Sequence, residues 1–257
     1  MDEEKINKNY TMLSLHKAIA VLKAFSKEEP RLSLTELHKK TGISISSLQR
    51  FVTTLTHEGF LHKNERTKQY QLGLGLLFLG QQVEQESSIL AVAKPILKQL
   101  NERFGESVCL NIVDGAYRRC LYNFESTHTL SANTYVGDTS PLYAGASAKT
   151  LLAYFPEKQL EDYLAHVSFE NITDNTITSR DILRQDLISI RQQGYAITNG
   201  ERVRGAISVS APILYPSGEP LASLTIIIPE VRFNDYDRNV LIDSVKAAVK
   251  DIECRLH

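Results

Sequence analysis

The sequence predicts an α+β chain in two parts: a winged helix-turn-helix, then, beyond a linker helix, an α+β sandwich. Three observations predict it. A capped helix, a glycine turn and a polar-faced helix succeed one another between Ser33 and His57. A short hairpin with a basic tip follows them directly. Farther on, paired β-rich runs are flanked by amphipathic helices, the pattern of antiparallel hairpins packed by helices.

The 257 residues are long for one ordinary domain and comfortable for two. Apolar residues make up 42% and charged residues 23%, ordinary values for a globular chain, which excludes disorder as the default. The first ten residues, MDEEKINKNY, lack the apolar run of a signal peptide. The longest apolar run, Leu72 to Leu79, is interrupted by Gly73 and Gly75 and is far too short to span a bilayer. The three cysteines (Cys109, Cys120, Cys254) form no C-x-x-C pair, which fits a reducing cytoplasm. Residues 1–72 carry 12 Lys+Arg against 8 Asp+Glu, a net of +4, and the remainder carries −5. Any nucleic-acid contact is therefore expected in the first part.

Within that part, Leu15, Ala18, Ile19, Leu22 and Phe25 recur at helical spacing and predict one buried face, ended by Pro30. Ser33 and Glu36 form a capping box, and the helix they open carries Leu34 and Leu37 inward and stops at Gly42. The next helix starts near Ser44 and buries Leu48, Phe51, Val52 and Leu55. Its other face carries Ser46, Ser47, Gln49, Arg50 and Thr53, short polar groups and one guanidinium suited to base edges and phosphates. Phe60-Leu61 and Tyr70-Leu72 then bracket a hairpin whose tip bears Lys63, Arg66 and Lys68, placed as a wing is placed against the phosphate backbone.

Leu74 to Glu86 reads as a connecting helix. The helix from Ile89 to Leu100 follows, with a break or bend expected at Pro95. The division predicted is residues 12–73, 74–88 and 89–257. Val108 to Val113 and Arg118 to Phe124 pair across the Asp114-Gly115 turn, and Ala206 to Leu214 and Leu221 to Ile228 across Tyr215 to Glu219. Ser179 caps a helix carrying Leu183, Leu187 and Ile190 and ended at Gly194; a last helix carries Leu241, Val245, Val249, Ile252 and Leu256. A further helix is expected over Thr150 to Phe155, preceded by the small-residue loop Gly145 to Lys149.

LTELHKKTGISISSLQRFVTTLTHEGFL followed by KNERTKQYQLGLGLLFLG resembles the N-terminal domain of the IclR family. PLYAGASAKTLLAYFP and IRQQGYAITNGERVRGAISVSAPILYPSGEPLASLTIIIP resemble its effector-binding domain in order and spacing, so the resemblance runs from about Met12 to about Leu256. It implies a GAF-like effector domain, a homodimer or homotetramer, double-stranded DNA at a near-palindromic operator, and control, in the expected direction of repression, by a small organic acid or related catabolite. It implies no cofactor and no metal. The chain departs from the family at Ser44-Ile45, where Pro-Lys is common. A backbone-contacting lysine is thereby lost, and the phosphate contacts rest more on Arg50 and the wing.

The resemblance also implies an effector site. Ala146 and Ser147, beside Gly145, would offer backbone N–H groups to an anion. Thr198, Ala206, Ser208, Thr225 and Ile227 fall on the pocket positions of the later strands. Tyr143 stands where the family usually has His and joins this set, although packing alone would explain it. An acidic residue at 198 and a serine at 227, usual in members that bind two- or three-carbon acids, are absent, so a larger or more apolar effector is expected.

Enzyme readings find little support. Gly145-Ala146-Ser147-Ala148-Lys149 lacks the last glycine of a nucleophile elbow. Ser147 and Lys149, two apart on a helix, would not face each other. No histidine pair has H-x-x-x-H or H-E-x-x-H spacing, so metal catalysis has no support. The alternatives that stay open are an enzyme with a fused winged helix and a winged helix that docks proteins instead of DNA.

Overall fold

The computed structural model describes residues 11–256, in two compact units divided between Glu86 and Ser87. The N-terminal decapeptide read above for a leader, and His257, lie outside the described residues.

The first unit comprises α1 (Leu13–Lys23), α2 (Leu34–Thr41), α3 (Ile45–His57), β1 (Leu61–Lys63), β2 (Tyr70–Leu72) and α4 (Leu74–Glu86). The capping box is formed: Ser33 Oγ accepts from Glu36 N at 3.3 Å, and Glu36 Oε2 accepts from Ser33 N at 2.7 Å. Gly42 takes φ +67°, a left-handed value that closes α2 and turns the chain into α3. Leu37, Leu48 and Val52 are fully buried against Val21 of α1, Leu32 ahead of α2 and Tyr70 of the hairpin. Gly73 packs so closely on the exit of α3 that a Cβ there would lie 2.2 Å from the Gly59 carbonyl oxygen.

The predicted buried face of α1 is corrected. Val21, Leu22 and Phe25 pack into the unit's core, but Leu15 and Ile19 are exposed, as are Met12 and Leu13. No residue of α4 is buried, and Leu74, Leu77, Phe78 and Val83 are exposed.

The second unit comprises α5 (Ser88–Phe104), β3 (Ser107–Asp114), β4 (Tyr117–Phe124), β5 (Thr139–Pro141), α6 (Ala146–Leu152), α7 (Glu157–His166), α8 (Arg180–Gln193), β6 (Ala196–Asn199), β7 (Ala206–Leu214), β8 (Pro220–Pro229), α9 (Glu230–Phe233) and α10 (Arg238–Leu256). The strands form one antiparallel sheet in the order β5-β4-β3-β8-β7-β6. Pro95 does not break α5: the helix is continuous through it.

The period-two pattern of the strands decides what each sheet face holds. Leu110 of β3, Val209 and Ile213 of β7, and Leu224 and Ile226 of β8 point to one side and are fully buried with Leu97 of α5 and Leu241 and Ile252 of α10. The alternate residues are small or polar. Cys109, Asn111, Ser210, Ser223 and Thr225 are buried on the opposite side, where α6 packs. Ser223 Oγ donates to the Ser147 carbonyl at 3.1 Å and ties α6 to this face. A second apolar cluster (Leu142, Tyr143, Leu151, Leu183, Leu187) joins α6, α7 and α8.

Candidate functional site

Each unit gathers its own set of candidate residues. In the first, Ser44 is the N-cap of α3 but makes no cap bond; its Oγ donates to Ser47 Oγ at 3.0 Å instead. Burial of Leu48, Val52 and Leu55 fixes the rotation of α3, which leaves Ser46, Gln49, Arg50 and Thr53 exposed and Ser47 half-buried. Gln49 Nε2 lies 3.3 Å from Thr53 Oγ1, one turn along, so the two form a polar pair on the outer face.

The wing is shaped by Asn64, whose side-chain oxygen accepts from the backbone of Arg66 and Thr67, both at 3.0 Å. Lys68 occupies the left-handed region at φ +58°. Its charge and that of Lys63 are not independent: Lys68 Nζ lies 2.9 Å and Lys63 Nζ 3.4 Å from the Glu65 carboxylate. These lysines hold Glu65 below the usual carboxylate range, Lys68 most strongly. The wing thus presents Arg66 beside two lysines that share one acid.

In the second unit, Gly145, Ala146, Ser147, Thr198, Ala206, Ser208, Thr225 and Ile227 line one cavity of about 30 Å³ on the polar face of the sheet. Tyr143 does not. Its ring is fully buried, edge-on to Phe169 at 5.1 Å, and its hydroxyl accepts from Glu170 N at 2.8 Å; it borders a separate pocket beside α7.

The residues expected as a loop before a helix at Thr150 are the first turn of α6, which starts at Ala146 with Gly145 as N-cap at φ +87°. Of the two backbone amides expected to face a ligand, that of Ala146 already has a partner, and so does the neighbouring amide of Gly145. Gly145 N donates to Glu201 Oε2 at 3.0 Å, and Ala146 N donates to Thr198 Oγ1 at 3.0 Å. The other oxygen of Glu201 receives Lys149 Nζ at 2.6 Å, and Lys149 also lies 2.7 Å from Asp186. Lys149 is thus an almost fully buried structural cation. The Thr225 hydroxyl is engaged as well, 2.9 Å from Ser210 Oγ and accepting from Asn111 at 3.4 Å.

Two arginines that the sequence reading did not select complete the cavity wall, Arg118 from β4 and Arg202 from the turn before β7. Arg118 is 1% exposed. Its Nε donates to Ser140 Oγ at 3.1 Å and its Nη1 to Asn111 Oδ1 and the Asp138 carbonyl, both at 3.3 Å. Nη2 has no hydrogen-bond partner among the described residues. Burial, and then repulsion from Arg202, draw its ionisation down to about 10. The lining sets these two arginines and Glu201 beside apolar Val203, Ala206 and Ile227. Among the described residues no His, Cys, Asp and Glu cluster of metal-binding kind occurs, and no helix is long and apolar enough to cross a membrane.

Comparison with known proteins places both halves. Residues 14–65 match the family profile of the IclR helix-turn-helix domain, and residues 81–254 match that of the bacterial transcriptional regulator IclR C-terminal. The chain is 32% identical over 250 residues to the HTH-type transcriptional regulator KipR of Bacillus subtilis, covering 97% of this chain and 98% of that one. The crystal structure of the Thermotoga maritima IclR aligns with a TM-score of 0.75 at 30% identity, covering 96% of this chain and 99% of that one. An IclR homologue from Microbacterium hydrocarbonoxydans, solved with 4-hydroxybenzoate, shares the fold at a TM-score of 0.84 and 20% identity, covering 95% and 98% of the two chains. A polar-faced recognition helix with its wing, a polar cavity on an antiparallel sheet, and matches to both halves in chain order lead to one assignment: the protein belongs to the IclR family of bacterial transcriptional regulators.

Proposed function

We propose that this DNA-binding regulator is a cytoplasmic homodimer that occupies a near-palindromic operator and is released from it by a small organic acid bound in the cavity of its second unit. The observation that carries the DNA half is the division of α3 into a buried apolar face and an exposed face bearing Ser46, Gln49, Arg50 and Thr53. In this reading, Gln49 and the serines meet base edges, while Arg50 and the wing residues Lys63, Arg66 and Lys68 meet phosphates. The assignment of residues 12–73 to DNA binding, 74–88 to linkage and 89–257 to sensing belongs to the same proposal.

Dimerisation is supported by the apolar surface of the first unit. Leu15 and Ile19 of α1 and Leu77, Phe78 and Val83 of α4 are exposed, and large apolar side chains left in solvent on two helices suit a protein contact. Two such units would present two recognition helices to half-sites about one duplex turn apart. A tetramer would pair two of these dimers. Repression is the proposed direction because blocking a promoter needs nothing beyond the duplex contacts. The acid is supported by Arg118 and Arg202 in the cavity wall, and by the bound 4-hydroxybenzoate of the Microbacterium homologue. The relatives matched are regulators, and catalysis has no part in the proposal.

The test is binding of the purified protein to fluorescent DNA from its own upstream region across a salt series, beside Arg50→Ala. Saturable binding that weakens with salt, and a salt slope reduced by about one in the variant, is the expected result. Failure on this DNA and in a random-sequence selection, with folding verified, would turn α3 and the wing into a protein-docking module.

A further inference from the structure

We propose that the cavity is built for a small dianion, chemically a dicarboxylate, held between the guanidinium groups of Arg118 and Arg202. The inference rests on the reading of this cavity as the effector site and narrows its ligand to one charge class.

Charge accounting within the wall leads to it. Glu201 is the one carboxylate among the described residues that line the cavity, and both of its oxygens are engaged, one by Lys149 and one by Gly145 N. Lys149 is shared by Glu201 and by Asp186, which lies outside the lining, so no carboxylate of the lining is left to pair with Arg118 or Arg202, and only Asp138 acts on Arg118 from farther off. Every hydrogen-bond acceptor of Arg118 is neutral: a hydroxyl, an amide and a backbone carbonyl. A buried guanidinium served only by neutral acceptors is costly, and one whose Nη2 amino group lacks a partner is more so. Arg202 opposes it from the other wall and is half-buried, so it reaches both the cavity and solvent.

The rest of the wall agrees with a compact acid rather than an extended one. At about 30 Å³, the space holds about one water molecule as it stands, so a ligand must open it, and a larger one must open it further. Ser208 faces this space beside Ile227, with which it is paired across β7 and β8, and offers a hydroxyl to a carboxylate oxygen. A monoacid can pair directly with one arginine and leaves the other without a direct ion pair. A diacid neutralises both and can take the N–H of Arg118 that has no partner.

The experiment is calorimetric titration of the full chain with malonate and succinate, beside propionate (one charge) and succinamide (none). Arg202→Gln and Arg118→Lys are titrated in parallel, the first because a half-buried position tolerates the change if the second fails to fold. We expect a dicarboxylate to bind at least about tenfold more tightly than propionate, and Arg202→Gln to abolish that preference, since a charge-assisted hydrogen bond is worth about one to two decades of affinity. Equal binding of succinate and succinamide, no binding of either dicarboxylate, or an Arg202→Gln variant that keeps the full preference would overturn the inference. The same titrations repeated on operator-bound protein separate the two readings. A dicarboxylate that binds as expected but leaves DNA affinity unchanged upholds the anion site and removes its effector role. A neutral compound that alters DNA affinity where dicarboxylates do not has the opposite consequence.

Discussion

Ala146 donates its backbone N–H to the Thr198 hydroxyl at 3.0 Å, and this bond is made where helix α6 begins. A position expected to hold a ligand carboxylate is thus filled by the protein's own side chain. Thr198→Val keeps the shape, removes the acceptor and leaves a buried amide unpaired. Stability should fall by about 1–3 kcal/mol, and a small carboxylate that replaces the hydroxyl should raise the melting temperature more in the variant than in the parent. Equal shifts in the two proteins would mean that the amide is not a ligand donor.

The Lys149 ammonium lies between Glu201 and Asp186, with almost no solvent contact. Lys149→Met leaves Glu201 buried without its cation and should cost about 3–5 kcal/mol in urea unfolding. Adding Glu201→Gln should recover a large part of that loss, because the uncompensated charge is gone. A double variant no more stable than the single would show that packing around Lys149, rather than charge, holds this corner.

Wing chemistry gives an opposite sign. Glu65 pairs with Lys68 at 2.9 Å and Lys63 at 3.4 Å, on an exposed tip. Glu65→Gln removes an acid that repels phosphate and competes for both lysines. Operator affinity should rise at low salt, with a salt slope steeper by about one. An unchanged slope would place the wing away from the duplex.

Thiol reactivity tests the polar sheet face. Burial, and then the neighbouring Cys109, push the Cys120 thiol up to about 12; burial likewise raises Cys109. Both therefore stay protonated at pH 8, where a thiol must ionise to react. Iodoacetamide should modify the exposed Cys254 alone in the native chain and all three thiols in urea, as read by mass spectrometry. Rapid native alkylation of Cys120 would show that this face opens to solvent.

Local signals made much of this structure legible. The Ser33 capping box, the Gly42 turn, the apolar stripe Leu48–Val52–Leu55 and both long hairpins are each written in residues a few positions apart. What was missed depends on partners distant in sequence. Leu15 and Ile19 have the spacing of a buried face, yet α1 turns only its Val21 side into the unit, because periodicity shows that a face exists and not what covers it. Gly-Ala-Ser-Ala reads as a loop by its small residues, whereas in the fold that smallness lets α6 start against the sheet. Strands β5 and β6 and helix α7 escaped notice: each strand is too short to establish a period, and α7 carries few apolar positions. Arg118 sits in a strand next to a turn, where arginine is normally solvated. Only closure of Asn111 and of the Asp138–Ser140 segment around it, from two places in the chain, makes it a buried cation.

In the proposed function, occupancy of the cavity and affinity for DNA are coupled. Operator binding measured by fluorescence anisotropy, with and without saturating succinate, tests it most directly. Succinate should weaken operator binding by about 5- to 150-fold in the wild type, the operator should weaken succinate binding by the same factor, and Arg118→Lys should lose the effect. Identical operator isotherms with the cavity filled and empty would contradict it.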